Sequence, residues 1–251
     1  MKLDRSSWGR LRVTGGDRVR FLQGLTTINV EKLGDGDQAW GAILNPKGRV
    51  LSVICIARLG EAFGVLCEAS LAEKTRALLE RYAVMDDVAF EAMTGPAHHV
   101  IEAADDYWHA KLEHGAGDIA ESDPVAERLR IHAGFLRYGA DVDDDCFPFD
   151  TPLGRFLDYG KGCYVGQEPV FRVHAQGNAA RALRGLTIAG DVAAGAQIKH
   201  AAKDNAGTVT SAVAAGDGTT LALGYLHRTA WDVGGTVEIA GHTATVHELP
   251  W

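Results

Sequence analysis

Apolar residues run almost unbroken through 50–57 and again through 63–67, with Arg58, Leu59, Gly60 and Glu61 between them. That pattern predicts a hairpin of buried strands. The period then changes: Ser70 and Glu73 have the spacing of a capping box, and Leu71, Thr75, Leu78, Leu79 and Tyr82 fall on one helical face. With the apolar run at 88–90, these segments describe a small α+β unit.

A second helix is predicted where Asp123 precedes Pro124, an acidic N-cap followed by proline at the first helical position. Val125, Leu129 and His132 share a face of it, and Gly134 ends it. From about Arg181 the pattern shifts to short alternating runs punctuated by glycine, at 183–188, 208–213 and 236–239, the signature of an all-β tail closing as a small barrel. Gln176, Gly177 and Asn178 mark a junction, which divides the chain into an N-terminal region, 1–177, and a barrel domain, 178–251. No internal repeat or low-complexity tract interrupts either.

At 251 residues the chain is long enough for a well-buried core and for more than one domain, and its 46% hydrophobic and 23% charged residues are ordinary for a soluble globular protein. A net charge of −8 and no lysine- or arginine-rich run argue against broad binding to nucleic acid or to anionic lipid. The start of the chain is charged, with no secretory signal, and no window approaches the roughly 20 apolar residues a membrane span needs. The expected location is the cytoplasm. There the four cysteines, at 55, 67, 146 and 163, stay reduced, and Cys55 and Cys67, set in apolar runs, read as inert core thiols.

Cys163 differs. It lies in Lys161-Gly162-Cys163-Tyr164-Val165-Gly166-Gln167-Glu168, with Arg172 and His174 close behind. Nearby cations favour a thiolate, so Lys161, Arg172 and His174 are each candidates to activate it if folding brings them together. The residues alone also allow a plain turn shaped by Gly162 and Gly166, with the cysteine packed beside it.

The octapeptide resembles the K-G-C-[YF]-x-G-Q-E signature of the YgfZ-like folate-binding proteins, relatives of the glycine-cleavage T-protein (aminomethyltransferase). The resemblance extends to Val13-Thr14-Gly15-Gly16-Asp17 with Phe21-Leu22-Gln23-Gly24, to Asn45-Pro46-Lys47-Gly48-Arg49, and to Arg130-Ile131-His132-Ala133-Gly134 with Tyr138-Gly139-Ala140-Asp141. It also takes in Gly207-Thr208-Val209-Thr210-Ser211, the run 221–225 and the closing Leu249-Pro250-Trp251. It implies an α+β fold with a T-protein-like three-lobed arrangement, two interleaved N-terminal subdomains and the small C-terminal β-barrel. It further implies tetrahydrofolate or a derivative as ligand, Cys163 as the catalytic thiol, and Arg130, Tyr138, Lys161, Gln167, Glu168 and Arg172 as folate-binding residues. Partners would be iron–sulfur enzymes or assembly factors, with no nucleic acid and no membrane. No metal site is expected.

Several positions depart from the pattern. Where the related aminomethyltransferases carry two consecutive aspartates, this chain has Ser52 and Val53, neither of which serves as a general base at neutral pH. The T-protein's Y-T-G-E-D-G-F-E segment has no counterpart in 107–121, His132 replaces the glutamate of R-x-E-A-G, and Pro169 follows the signature. Whether the protein is an enzyme is open. The leading expectation is a folate-binding protein assisting iron–sulfur cluster assembly or repair. The alternatives are a one-carbon transferase using His132 or Glu168 as its acid–base group, and a non-catalytic binder of another anionic ligand. His132 itself reads either as a group titrating near neutrality or as a packed histidine.

Overall fold

The computed structural model describes Met1 to Trp251 except Asn178, and the backbone alone of Gln176. The chain opens with strands β1 (Lys2–Asp4) and β2 (Gly9–Thr14), helix α1 (Arg18–Leu25), strands β3 (Gln38–Leu44), β4 (Val50–Leu59) and β5 (Ala62–Cys67), and helix α2 (Ala72–Tyr82). Strands β6 (Ala89–Ala92) and β7 (Ala97–Val100), helix α3 (Asp106–His109), strand β8 (Leu112–His114) and helices α4 (Pro124–Ala133) and α5 (Gln167–Gln176) follow. The rest is strand: β9 (Arg181–Ile188), β10 (Gln197–His200), β11 (Lys203–Ala214), β12 (Thr220–His227), β13 (Thr236–Ile239) and β14 (His242–His247).

These elements form two compact units, and the chain passes from one to the other four times. One unit holds Met1–Asp4, Ala97–Asp141 and Asn178–Trp251; the other holds Arg5–Pro96 and Val142–Gly177. Of the three residues read as a junction, Gly177 caps α5 in the left-handed conformation, and Asn178 lies outside the described residues.

The unit built on Arg5–Pro96 centres on a five-stranded antiparallel sheet of order β3-β4-β5-β2-β6. Every residue of β5 is buried, as its unbroken apolar run predicts. The predicted hairpin is present but tighter: Arg58 and Leu59 extend β4, Leu59 pairs with Ala62, and the turn shrinks to Gly60 and Glu61. The expected capping box is not formed. Residues Ala69–Leu71 make a 3₁₀ turn, so α2 starts at Ala72 with no side-chain cap. The predicted face still holds, with Leu71, Thr75 and Leu79 buried.

In the other unit β1, β7 and β8 make a small sheet, and β10-β11-β12-β9-β14-β13 close into a barrel. Leu186, Ile188, Ile198, Val209, Leu226 and Val246 are among the residues that fill it. Helix α4 begins and ends as the sequence dictates: the Asp123 side chain accepts from the Val125 N–H, Pro124 is first, and Gly134 closes in the left-handed region. Its buried face is not the expected one. Val125 is exposed, Leu129 and His132 are half-buried, and Ala126, Arg130, Ile131 and Ala133 face inward. A buried ion pair at Arg130 sets that rotation. Among the described residues no helix is long and apolar enough to cross a membrane.

Candidate functional site

The signature segment is stitched to the end of α1 at two points. The Lys161 ammonium, 6% exposed, donates to the carbonyls of Thr26 at 2.5 Å and Ile28 at 2.6 Å, and the Val165 N–H donates to Gly24 O at 3.0 Å. Thr26 is the C-cap of α1, where unpaired carbonyls attract a cation. Burial draws Lys161 down to about 8.

At Gly166 the backbone turns through φ +81° into α5, and a Cβ there would lie 2.4 Å from the carbonyl oxygen of Asn45. Only glycine permits both the torsion and the approach. The Asn45 side chain accepts from the Lys47 and Arg49 N–H groups, and the resulting turn brings Gly48 against Pro169. Segments 21–24, 45–49 and 161–168, separate in sequence, therefore meet in one place. Gly162 and Cys163 are left exposed. A Cβ at Gly162 would meet only open space.

Cys163 is the exposed thiol; Cys55, Cys67 and Cys146 are buried. Burial pushes Cys55 up to about 12 and Cys67 up to about 11, which keeps both protonated. Among the described residues nothing hydrogen-bonds to Cys163. The three cations proposed to activate it are engaged elsewhere. Lys161 is buried among carbonyls, Arg172 pairs with Glu168 at 2.6 Å across one exposed turn of α5, and the His174 ring stacks on Tyr159 at 3.9 Å. Gln167 opens α5, with its side-chain oxygen 3.4 Å from the Tyr164 N–H.

Beside this segment runs a polar network that the sequence reading passed over. Asp158 accepts from Lys32 at 2.7 Å, Asn29 at 2.8 Å and the Gly160 N–H at 2.8 Å, contacts that hold its carboxyl at about 2. Asn29 in turn accepts from Gln23 at 3.1 Å. Gln23 belongs to a quoted motif; Asn29 and Asp158 carry no pattern that would have flagged them.

Arg130 and Tyr138 belong to the other unit. Tyr138 is half-buried. Arg130 is 5% exposed and fully committed: Nε and Nη2 donate to Glu127, and Nη1 donates to Asp141 at 2.7 Å and to Phe135 O at 2.6 Å. Asp141 also accepts from the hydroxyls of Thr210 and Ser211 and from the Arg137 N–H. Burial works against the charge on Arg130, but the two carboxylates outweigh it and raise its pKa. This hub ties the end of α4 to β11. His132 packs against Trp251, with ring centroids 4.5 Å apart.

The GCVT N-terminal domain family model matches residues 2–101. The tRNA-modifying protein YgfZ of Hamiltonella defensa subsp. Acyrthosiphon pisum (strain 5AT) is 26% identical across 72% of this chain and 68% of its own length. That of Cronobacter sakazakii (strain ATCC BAA-894) is 25% identical across 97% of this chain and 91% of its own. The crystal structure of glycine cleavage system aminomethyltransferase T from Bartonella henselae overlays with a TM-score of 0.81, covering 99% of this chain and 85% of that one at 18% identity. Residues 2–101 are thus similar to the GCVT N-terminal domain, and the chain is similar over most of its length to proteins named YgfZ. It shares the T-protein fold.

The two positions at which the sequence departs from the aspartate pair of the aminomethyltransferases it resembles, 52 and 53, lie on β4. Ser52 is fully buried and lies 2.7 Å from the Thr75 hydroxyl, and Val53 is buried too. Neither position offers a carboxylate. Among the described residues no three histidine, cysteine, aspartate or glutamate side chains are grouped to hold a metal ion.

Proposed function

We propose that this YgfZ-like chain binds a tetrahydrofolate species and assists the assembly or repair of iron–sulfur enzymes, with the Cys163 thiol as the group that reacts or meets the client. The observation that supports this most is the convergence of segments 21–24, 45–49 and 161–168, which presents Cys163 to solvent with no hydrogen-bond partner among the described residues. A thiol that only filled a turn would be packed. Of the folate-binding candidates on α5, Glu168 and Arg172 are exposed and joined only by a surface ion pair, an interaction weak enough to exchange for a ligand carboxylate. Arg130 and Lys161 hold the scaffold by the bonds described above.

Aminomethyl transfer is the weaker reading, because Ser52 and Val53 supply no base. The relatives' name points to tRNA as the molecule finally modified. A chain of net charge −8 is a poor direct binder of tRNA. We therefore assign the modification to an iron–sulfur client enzyme.

Calorimetric titration with tetrahydrofolate and 5-formyltetrahydrofolate tests the ligand. Saturable binding that weakens in Arg172→Ala and persists in Cys163→Ala is expected, and absence of heat with either folate would remove the ligand assignment. Iron–sulfur enzyme activity in a strain lacking the protein tests the thiol. Full restoration by Cys163→Ala would take the cysteine out of the mechanism.

A further inference from the structure

Residues 248–251 fold back onto α4 and β9 and are received in a seat shaped for them. Gly185 lies mid-strand in β9 and has no need of a left-handed backbone, yet a Cβ there would stand 2.3 Å from the Trp251 ring. Gly134 makes the matching space for Leu249, 2.9 Å from the position its own Cβ would take. The Trp251 N–H donates to His132 O at 3.2 Å. Two imidazoles then flank the indole: His247 lies parallel to it at 5.3 Å, and His132 is tilted against it at 4.5 Å. His132 Nδ1 is 3.2 Å from Trp251 O, and His247 Nε2 is 3.0 Å from the Thr187 hydroxyl on β9.

We propose that this segment is a proton-sensitive strap: neutral His132 and His247 hold Trp251 against the barrel, and charging them together releases residues 248–251 from α4. The charged groups alongside cannot absorb the added charge. Arg184 on β9 is itself a cation, turned toward the Trp231 carbonyl, and Glu248 in the strap is 67% exposed and 3.8 Å from Arg184. On α4, Glu127 and Arg130 are committed to each other and to the Asp141 hub, and Arg128 reaches toward the Ala214 carbonyl. One imidazolium on an indole face is attracted to it. The second must charge within electrostatic reach of the first.

The sign follows from the docked state. Burial lowers the pKa of His132, outweighing the hydrogen bond to Trp251 O that raises it, and burial and the His132 charge lower that of His247. The undocked segment therefore takes up protons more readily, and docking weakens as pH falls below the ordinary histidine value of about 6.5.

The full chain labelled with 5-fluorotryptophan carries five reporters, of which Trp251 is assigned with Trp251→Phe. Between pH 8 and pH 5 the Trp251 fluorine resonance is expected to move alone to the solvent-exposed position. In His132→Gln/His247→Gln it is expected to stay in place over the same range. If the double variant does not fold, His247→Gln alone is expected to lower the release midpoint by about half a pH unit or more. An unmoved Trp251 resonance, loss of all five together, or the same midpoint with and without the histidines would overturn the proposal.

Discussion

Asp141 and Cys163 both lie in stretches that resemble family motifs, yet their surroundings are opposite. Asp141 is fully buried, and both carboxylate oxygens are occupied by Arg130, the Arg137 N–H, Thr210 and Ser211. Cys163 is exposed, and the lysine two residues before it turns inward to carbonyls. A matched motif can build the scaffold or can present chemistry, and an account of where every polar group goes tells the two apart. By that account the Arg130 guanidinium is engaged at all three nitrogens within its own unit.

Substitution at Asp141 gives the largest effect. Asp141→Ala leaves Arg130 without one of its two carboxylates in the interior, a change expected to cost about 3–5 kcal/mol of stability by denaturant unfolding. If Asp141→Ala costs no more than a surface substitution, the hub is not what orients α4. Gly166→Ala comes next: a left-handed torsion and a collision with Asn45 O predict a loss of about 1–3 kcal/mol, while Gly162→Ala, which meets open space, stays within about 0.5 kcal/mol.

Lys161→Met sharpens the contrast through pH. The unfolded side chain titrates near about 10.4 and the folded one at about 8, so the unfolded chain binds the extra proton between those values. The stability advantage of Lys161 over methionine is therefore smallest below pH 8 and grows toward pH 10, as compared by denaturant midpoints at the two limits. The smallest effect belongs to Cys163→Ser, expected within about 0.5 kcal/mol of the parent. Its complement is chemical: iodoacetamide on the native protein should give a single adduct, at Cys163, with Cys55, Cys67 and Cys146 reacting only after unfolding.

What the sequence disclosed follows the range of the interaction. The ends of α4 were legible because Asp123, Pro124 and Gly134 act on their own backbone, and the barrel strands because alternation is local. The face of α4 was misread because Arg130 finds Asp141 eleven positions later, and hydropathy ranks a buried arginine below Leu129. The partners of Lys161 were invisible for a different reason. They are backbone carbonyls at Thr26 and Ile28, and any residue there would supply the same oxygen. Ser70 and Glu73 had the right spacing for a cap, but the preceding 3₁₀ turn already ordered that corner.

The four crossings between units also set an order of events during synthesis. Strand β1 pairs with β7, nearly a hundred residues downstream, and Leu3 bridges to Ile119. The unit built on Arg5–Pro96 is complete once Gly177 has been made, whereas the one containing Met1–Asp4 still awaits its barrel. As the chain emerges, its first strand must therefore wait for its neighbours while the residues right behind it fold. Sequence separations of this kind slow folding, and β1 cannot pair until β7, nearly a hundred residues on, has been made.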